Sequence, residues 1–269
     1  MLRRITLFIL VISVLVVSCK KGESKDTGVG PTSVGTEELA VSGKWEMGYA
    51  LRVNTGLYTL EEDTGSKTDK TKWTAGLSLG ESIMVGNIRE ATFSGDNKVY
   101  DFVEIRDTNG REGYAFTSQV AAGGRLAVVT DEKAMLYKTP KAVDVTGNVL
   151  SRKIVLVYYP ETKIDDFVEI RAYDSFATPS PAYRNGNFVR LSALSEKRSD
   201  IQASILLQTA LPLRDSVANE KARKDALLES ALLDYPDSVF NSEIFELVNP
   251  AQNYSETSSD DNEGYYLDD

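Results

Sequence analysis

Asp101-Phe-Val-Glu-Ile-Arg106 returns letter for letter as Asp166-Phe-Val-Glu-Ile-Arg171, sixty-five residues further along a chain of 269. An identical internal copy marks a duplicated unit and sets the frame for everything around it. Apolar residues alternating with charged ones read as a strand. On that strand Val103 and Ile105 share the inward face, while Phe102, Glu104 and Arg106 share the other. Glu104 and Arg106, flanking one another on that face, read as a cross-strand charge pair that stabilises a sheet, not as catalysts. Working outward, the flanks repeat more loosely but in the same order. Gly56-Leu-Tyr-Thr59 has its counterpart in Ala134-Met-Leu-Tyr-Lys-Thr-Pro140. Leu79-Gly-Glu-Ser-Ile-Met-Val85 pairs with Val149-Leu-Ser-Arg-Lys-Ile-Val-Leu-Val157. Tyr114-Ala-Phe-Thr-Ser-Gln-Val120 lines up with Phe188-Val-Arg-Leu-Ser-Ala-Leu194. From Trp45 to about Leu194 the chain is therefore a succession of short strands with Gly, Asn and Asp turns. Two copies of one small β unit meet near Ala121-Ala-Gly-Gly-Arg125.

These segments resemble the bacterial SH3 family of small β-barrels. The resemblance rests on Leu136-Tyr-Lys-Thr-Pro140, on Leu77-Ser-Leu-Gly-Glu-Ser-Ile-Met-Val85, on the Phe102-Val103 strand and on Gly113-Tyr-Ala115. It implies a mainly β chain with two tandem SH3-like barrels, at residues 44–125 and 126–198. The chain departs from the family pattern in three places. The first copy lacks the turn proline, Phe102 and Phe167 stand where many members carry tryptophan, and the second copy holds an insertion at residues 172–185. By resemblance the function is binding without catalysis, and the partner is peptidoglycan stem peptide or another envelope protein. Exposed aromatics grip extended strands in such barrels, so Tyr58, Tyr114, Tyr137, Tyr173, Phe176 and Tyr183 are the candidate ligand residues. The insertion reads as a long loop without secondary structure of its own, a common place for function.

The N-terminus reads as an address. Arg3 and Arg4 precede an apolar run from Ile5 to Val17, too short to cross roughly 30 Å of hydrocarbon, so residues 1–18 form a signal-peptide core. Leu15-Val-Val-Ser-Cys19 resembles the lipobox of bacterial lipoproteins, in a loose form similar to that of spirochaetes. It implies a diacylglycerol and acyl chains such as palmitate on Cys19, and attachment to a membrane of the cell envelope on its periplasmic or surface side. Lipidation also accounts for the lone cysteine of the chain, which an oxidising compartment would otherwise leave exposed. Residues 19–43 are rich in Gly, Ser, Thr and charge and read as a flexible tether.

After Ser199 the apolar period changes to a helical one, and three short helices are expected over residues 199–250, packed on one another or on the second barrel. Residues 251–269 carry six acids and no base, and read as a disordered acidic tail.

Composition excludes more than it assigns. With no histidine and one cysteine, Ser-His-Asp and Cys-His nucleophiles and the usual zinc sites are absent. A net charge of −10 argues against nucleic acid. Asp107-Thr-Asn109-Gly110 opens like a calcium loop, but Ser118 stands where the bidentate glutamate is needed, so it reads as a turn. No cofactor and no metal are expected. The alternative reading is an envelope scaffold whose C-terminal helices make the protein contact, and a carboxylate-dependent cell-wall hydrolase stands third.

Overall fold

The structure, a computed structural model, describes residues 45–250. The signal segment 1–18, Cys19 with the tether 19–43, and the tail 251–269 lie outside the described residues.

The described chain is mainly β. Its first seven strands are β1 (Glu46–Ala50), β2 (Thr55–Glu61), β3 (Lys70–Leu77), β4 (Ser82–Phe93), β5 (Lys98–Asp107), β6 (Glu112–Phe116) and β7 (Val120–Ala122). They form one sheet in the order β3-β2-β6-β5-β4-β1-β7. The next seven are β8 (Arg125–Val129), β9 (Lys133–Tyr137), β10 (Val145–Ser151), β11 (Val155–Ile164), β12 (Phe167–Asp174), β13 (Ala182–Arg190) and β14 (Leu194–Ser195). Their order is β10-β9-β13-β12-β11-β8-β14. Adding seven to each strand of the first sheet reproduces the second. Neighbours are antiparallel, except for a parallel contact of Lys70 with Thr92 that joins β3 to β4 and bends the first sheet back on itself.

Equivalent positions follow from the register. Val103 faces Ala115 as Val168 faces Val189, and Tyr58 faces Tyr114 as Tyr137 faces Phe188. The two aliphatic cores are therefore built from matching residues: Leu57, Ile83, Val103 and Ile105 in one, Leu136, Leu156, Val168 and Ile170 in the other. The segments at Leu79–Val85 and Val149–Val157 differ in length, and the register fixes how they match. Val85 faces Ile105 while Tyr158 faces Ile170, so Tyr158 is the true counterpart. The reason lies in the preceding turn, where Gly80 (φ +72°) and Lys153 (φ +74°) occupy the same left-handed position. Glycine enters that region freely, whereas a lysine there needs outside support.

Two expectations change. Phe102 was expected on the face away from the core, beside Glu104 and Arg106, yet it is completely buried because other aromatic rings cover it. Residues 172–185 are a loop only in their middle, at residues 175–181. β12 and β13 run into them from either end, pairing Arg171 with Asn185, Tyr173 with Tyr183 and Asp174 with Ala182, and the seven residues 175–181 form the connecting turn. The buried carboxylate of Asp174 holds that turn, accepting the N–H groups of Phe176 (3.1 Å) and Ser151 (3.2 Å).

Three helices close the described chain: α1 (Arg198–Ala210), α2 (Ala218–Asp234) and α3 (Asn241–Val248). They pack on one another and on the sheets. Ile201, Leu207, Leu228, Phe240 and Ile244 share one apolar cluster with Val128 and Val155 of the second sheet and Leu79 of the first. Lys153 receives its support here. Its carbonyl accepts Ser204 Oγ and Gln208 Nε2, and its ammonium pairs with Glu243. Asp200, buried at the start of α1, accepts Ser195 Oγ (2.6 Å) and the Val239 N–H (2.9 Å), tying the helices to the last strand. No described helix is long and apolar enough to cross a membrane.

Candidate ligand face

The candidate site grows from the face of the first sheet opposite its aliphatic core. Four rings, Tyr58 on β2, Phe93 on β4, Phe102 on β5 and Phe116 on β6, meet with centroids 4.5–5.8 Å apart, and Tyr100 joins Phe116 at 5.4 Å. Most contacts are edge-to-face, the arrangement that the ring quadrupole favours. Phe102 supplies the buried floor. The parallel contact between β3 and β4 brings Phe93 to Tyr58, although their strands are not neighbours elsewhere in the sheet.

Around this cluster runs a row set by register. Trp73 on β3 faces Tyr58, Tyr58 faces Tyr114 on β6, and Tyr114 faces Glu104 on β5. The Glu104 carboxylate accepts Asn87 through both N–H (3.3 Å) and Nδ2 (3.2 Å), and Arg89 donates to the Tyr114 hydroxyl at 3.3 Å. Trp45 follows, with the Arg106 guanidinium 4.8 Å from its ring. Glu104 and Arg106 do not pair with each other as expected: Arg106 pairs instead with Glu112 across the strands at 2.6 Å, while Glu104 takes Asn87. Trp73 is 65% exposed and Tyr100 37%, large for such rings. Burial raises the Tyr58 phenol above its ordinary range, with the positive Arg52 partly opposing. Tyr100 is raised chiefly by donating to Asp96, and the same bond holds Asp96 below its ordinary carboxylate range.

The second sheet treats the matching face differently. Tyr137 is the counterpart of Tyr58 and is 6% exposed, packed edge-on against Phe167 at 4.9 Å. Where the first copy has Phe116, the second has Arg190, lying 4.9 Å over Phe167 and paired with Asp166. Tyr173 and Tyr183 stack on each other at 4.8 Å. Tyr173 also packs among Leu51, Ala121 and Val157 where the two copies touch, under the Arg52 guanidinium at 5.1 Å. Phe176 lies against the core of the second sheet. Of the six aromatics expected at the ligand face, Tyr58 and Tyr114 thus come together, Tyr137 and Phe176 serve packing, and Tyr173 with Tyr183 forms a separate pair. Sequence reasoning missed Trp45, Trp73, Phe93, Tyr100 and Phe116. The rarity of tryptophan was an available signal for the first two.

Among the described residues no three Asp, Glu, His or Cys side chains gather as a metal site. The Asp107 carboxylate is spent on the N–H groups of Asn109 (2.9 Å) and Arg111 (2.8 Å) and on the Arg111 guanidinium, and Gly110 takes φ +79°, as a turn requires. Glu169 on β12 is pushed above its ordinary range by burial and by nearby Glu161. A depression at α2 and α3 is lined by Lys221, Asp225, Glu229 and Val248.

No family model matches the chain, and no curated protein matches it. Among solved structures, NlpC2 from Trichomonas vaginalis is similar at a TM-score of 0.20 and 10% identity, over 63% of this chain and 56% of that one. The chain thus spans little more than half of that protein, and at this score the likeness carries no statement of shared fold or activity.

Proposed function

We propose that the chain is a lipid-anchored protein of a bacterial cell envelope, displaying two SH3-like units as a non-catalytic binding module. In this reading Cys19 carries the lipid and residues 20–43 hold the folded part away from the membrane. The repeated strand order supports the tandem. The observation that carries the function is the aromatic face of the first sheet, where Trp73 and Tyr100 stand exposed while Arg190 closes the matching face of the second. A duplicated fold that keeps one face open and seals the other divides binding from support. The partner is peptidoglycan or an envelope protein. Retention on purified sacculi tests this. Truncating a binding anchor costs about 2 kcal/mol, roughly thirtyfold in affinity. Trp73→Ala should therefore weaken retention about thirtyfold while leaving the melt unchanged, since that ring is 65% exposed.

The helical scaffold remains a second reading because Leu233, Phe245 and Leu247 are exposed on α2 and α3. Retention that survives the aromatic variant and disappears with Leu233→Ser and Phe245→Ser would establish it.

A further inference from the structure

We infer, resting on the reading that the first sheet is the binding face, that its ligand is a neutral chain of sugar rings laid across the strands between Trp45 and Trp73. The protein has two tryptophans, and both lie at the ends of one cross-strand row. Trp45 precedes β1 opposite Gly86 of β4, and a Cβ on Gly86 would come 3.1 Å from the indole and 2.9 Å from the Glu104 carboxylate. The missing side chain therefore lets the indole lie down against the sheet beside Glu104. The row crosses six strands, five spacings of roughly 4.8 Å and so about 24 Å measured along the curved sheet, a length that an extended oligomer can follow.

The fold does not require these tryptophans. In the second copy, Tyr137 faces Val145 where Tyr58 faces Trp73, so valine takes the place of Trp73. Tyr158 faces Arg125 as Val85 faces Glu46, which puts Gly124 at the place of Trp45. The same strand order forms with neither indole. An indole that is 65% exposed contributes little to a core, and Trp45, half-buried, is braced by the Arg106 guanidinium.

Charge selects the class of ligand. Arg106 is paired with Glu112, Lys72 with Glu61 at 2.8 Å, and Arg89 donates to Tyr114. A charged peptide would have to break pairs already made. A neutral sugar offers flat C–H faces to the negative faces of the indoles. Its hydroxyls can use the unspent lone pairs of Glu104 and the unspent N–H groups of Arg89. An aromatic wall with a few placed polar groups is the usual make-up of a small-molecule site.

Both tryptophans lie on the row, so the intrinsic emission of the full chain reports on it. Titration with a soluble N-acetylglucosamine hexamer should shift that emission saturably, and Trp73→Phe should weaken binding about thirtyfold without moving the melt. A peptide of alanine, glutamate and lysine should leave the emission unchanged. No saturable change with the hexamer overturns the inference. If the peptide shifts the emission instead, the face is a peptide groove, and the binding-module reading survives. If neither probe acts and sacculus retention persists in Trp45→Phe with Trp73→Phe, the placement of the site on the first sheet falls as well.

Discussion

Replacing Phe240 with alanine tests whether the helices and the sheets melt as one body. Phe240 is completely buried, at the entry to α3, within the apolar cluster that joins Ile201, Leu207 and Leu228 to Val128 and Val155. Removing a buried phenylalanine costs about 3–5 kcal/mol, because the lost transfer energy is joined by an unfilled cavity. The Arg152 guanidinium, 5.3 Å from the ring and donating to the Val239 carbonyl at 3.3 Å, adds about 0.5–1 kcal/mol of cation–π contact. At about 2–4 °C per kcal/mol for a body of this size, a loss of about 4 kcal/mol lowers the melt by roughly 8–16 °C. Calorimetry should show one transition that moves as a whole, with strand and helix circular dichroism falling together. A sheet transition left in place, with only a separate helical transition moving down, would refute the reasoning. The shared cluster would then be a contact between independent units.

Asp107→Asn should destabilise the protein at neutral pH and flatten its acid dependence. Burial alone would raise this carboxyl, but the Arg111 guanidinium and the N–H groups of Arg111 and Asn109 outweigh it and hold it below the ordinary range. Its stabilisation is therefore present above the unfolded pKa near 4 and is lost as pH falls through the lower folded value, which melts recorded from pH 2 to 7 would show. Glu169 behaves in the opposite sense. Its raised pKa means that the ionised form is disfavoured in the fold, so Glu169→Gln should raise the melting temperature at pH 7. The gain should vanish once the wild-type carboxyl is protonated below the ordinary glutamate range, and a gain that persists there would exclude titration as its cause. Cys19→Ala should abolish fatty-acid labelling and release the protein from membranes into the aqueous phase of a detergent partition.

How far the sequence reached depends on how local each determinant is. A repeated hexapeptide, alternating apolar residues and Gly or Asn turns are properties of neighbouring residues, so the two β units and their shared order were legible. Leu57-Tyr58 and Leu136-Tyr137 were matched correctly for the same reason, as were Tyr114-Ala115 and Phe188-Val189. The switch to a helical period beyond Ser199 was equally local, and three helices formed there. Within the site, Tyr58 and Tyr114 were accessible to this kind of reading.

The remainder depended on which strands lie side by side, and that is a property of the folded chain. Trp73 meets Tyr58 only because an irregularity at Leu57 and Tyr58 shifts the register by one residue. A one-residue slip reassigns every side chain beyond it to the other face. Phe102 is buried because β3 reaches β4 and brings Phe93 and Tyr58 over it, a contact between strands that strand alternation cannot encode. Residues 172–185 looked like a loop because Ser, Thr and Pro dominate their middle. Partner strands and the buried Asp174 instead hold their ends as a ladder. The helices carry recognisable apolar stripes, but what those stripes cover was decided by two turns, one at Gly80 and one at Lys153. The Ile205 side chain sits where a Cβ on the first turn would clash at 2.8 Å, and the carbonyl of the second binds Ser204 and Gln208. Local chemistry thus determined which segments become strands and helices, whereas long-range pairing decided which aromatic rings are buried and which two tryptophans end one cross-strand row.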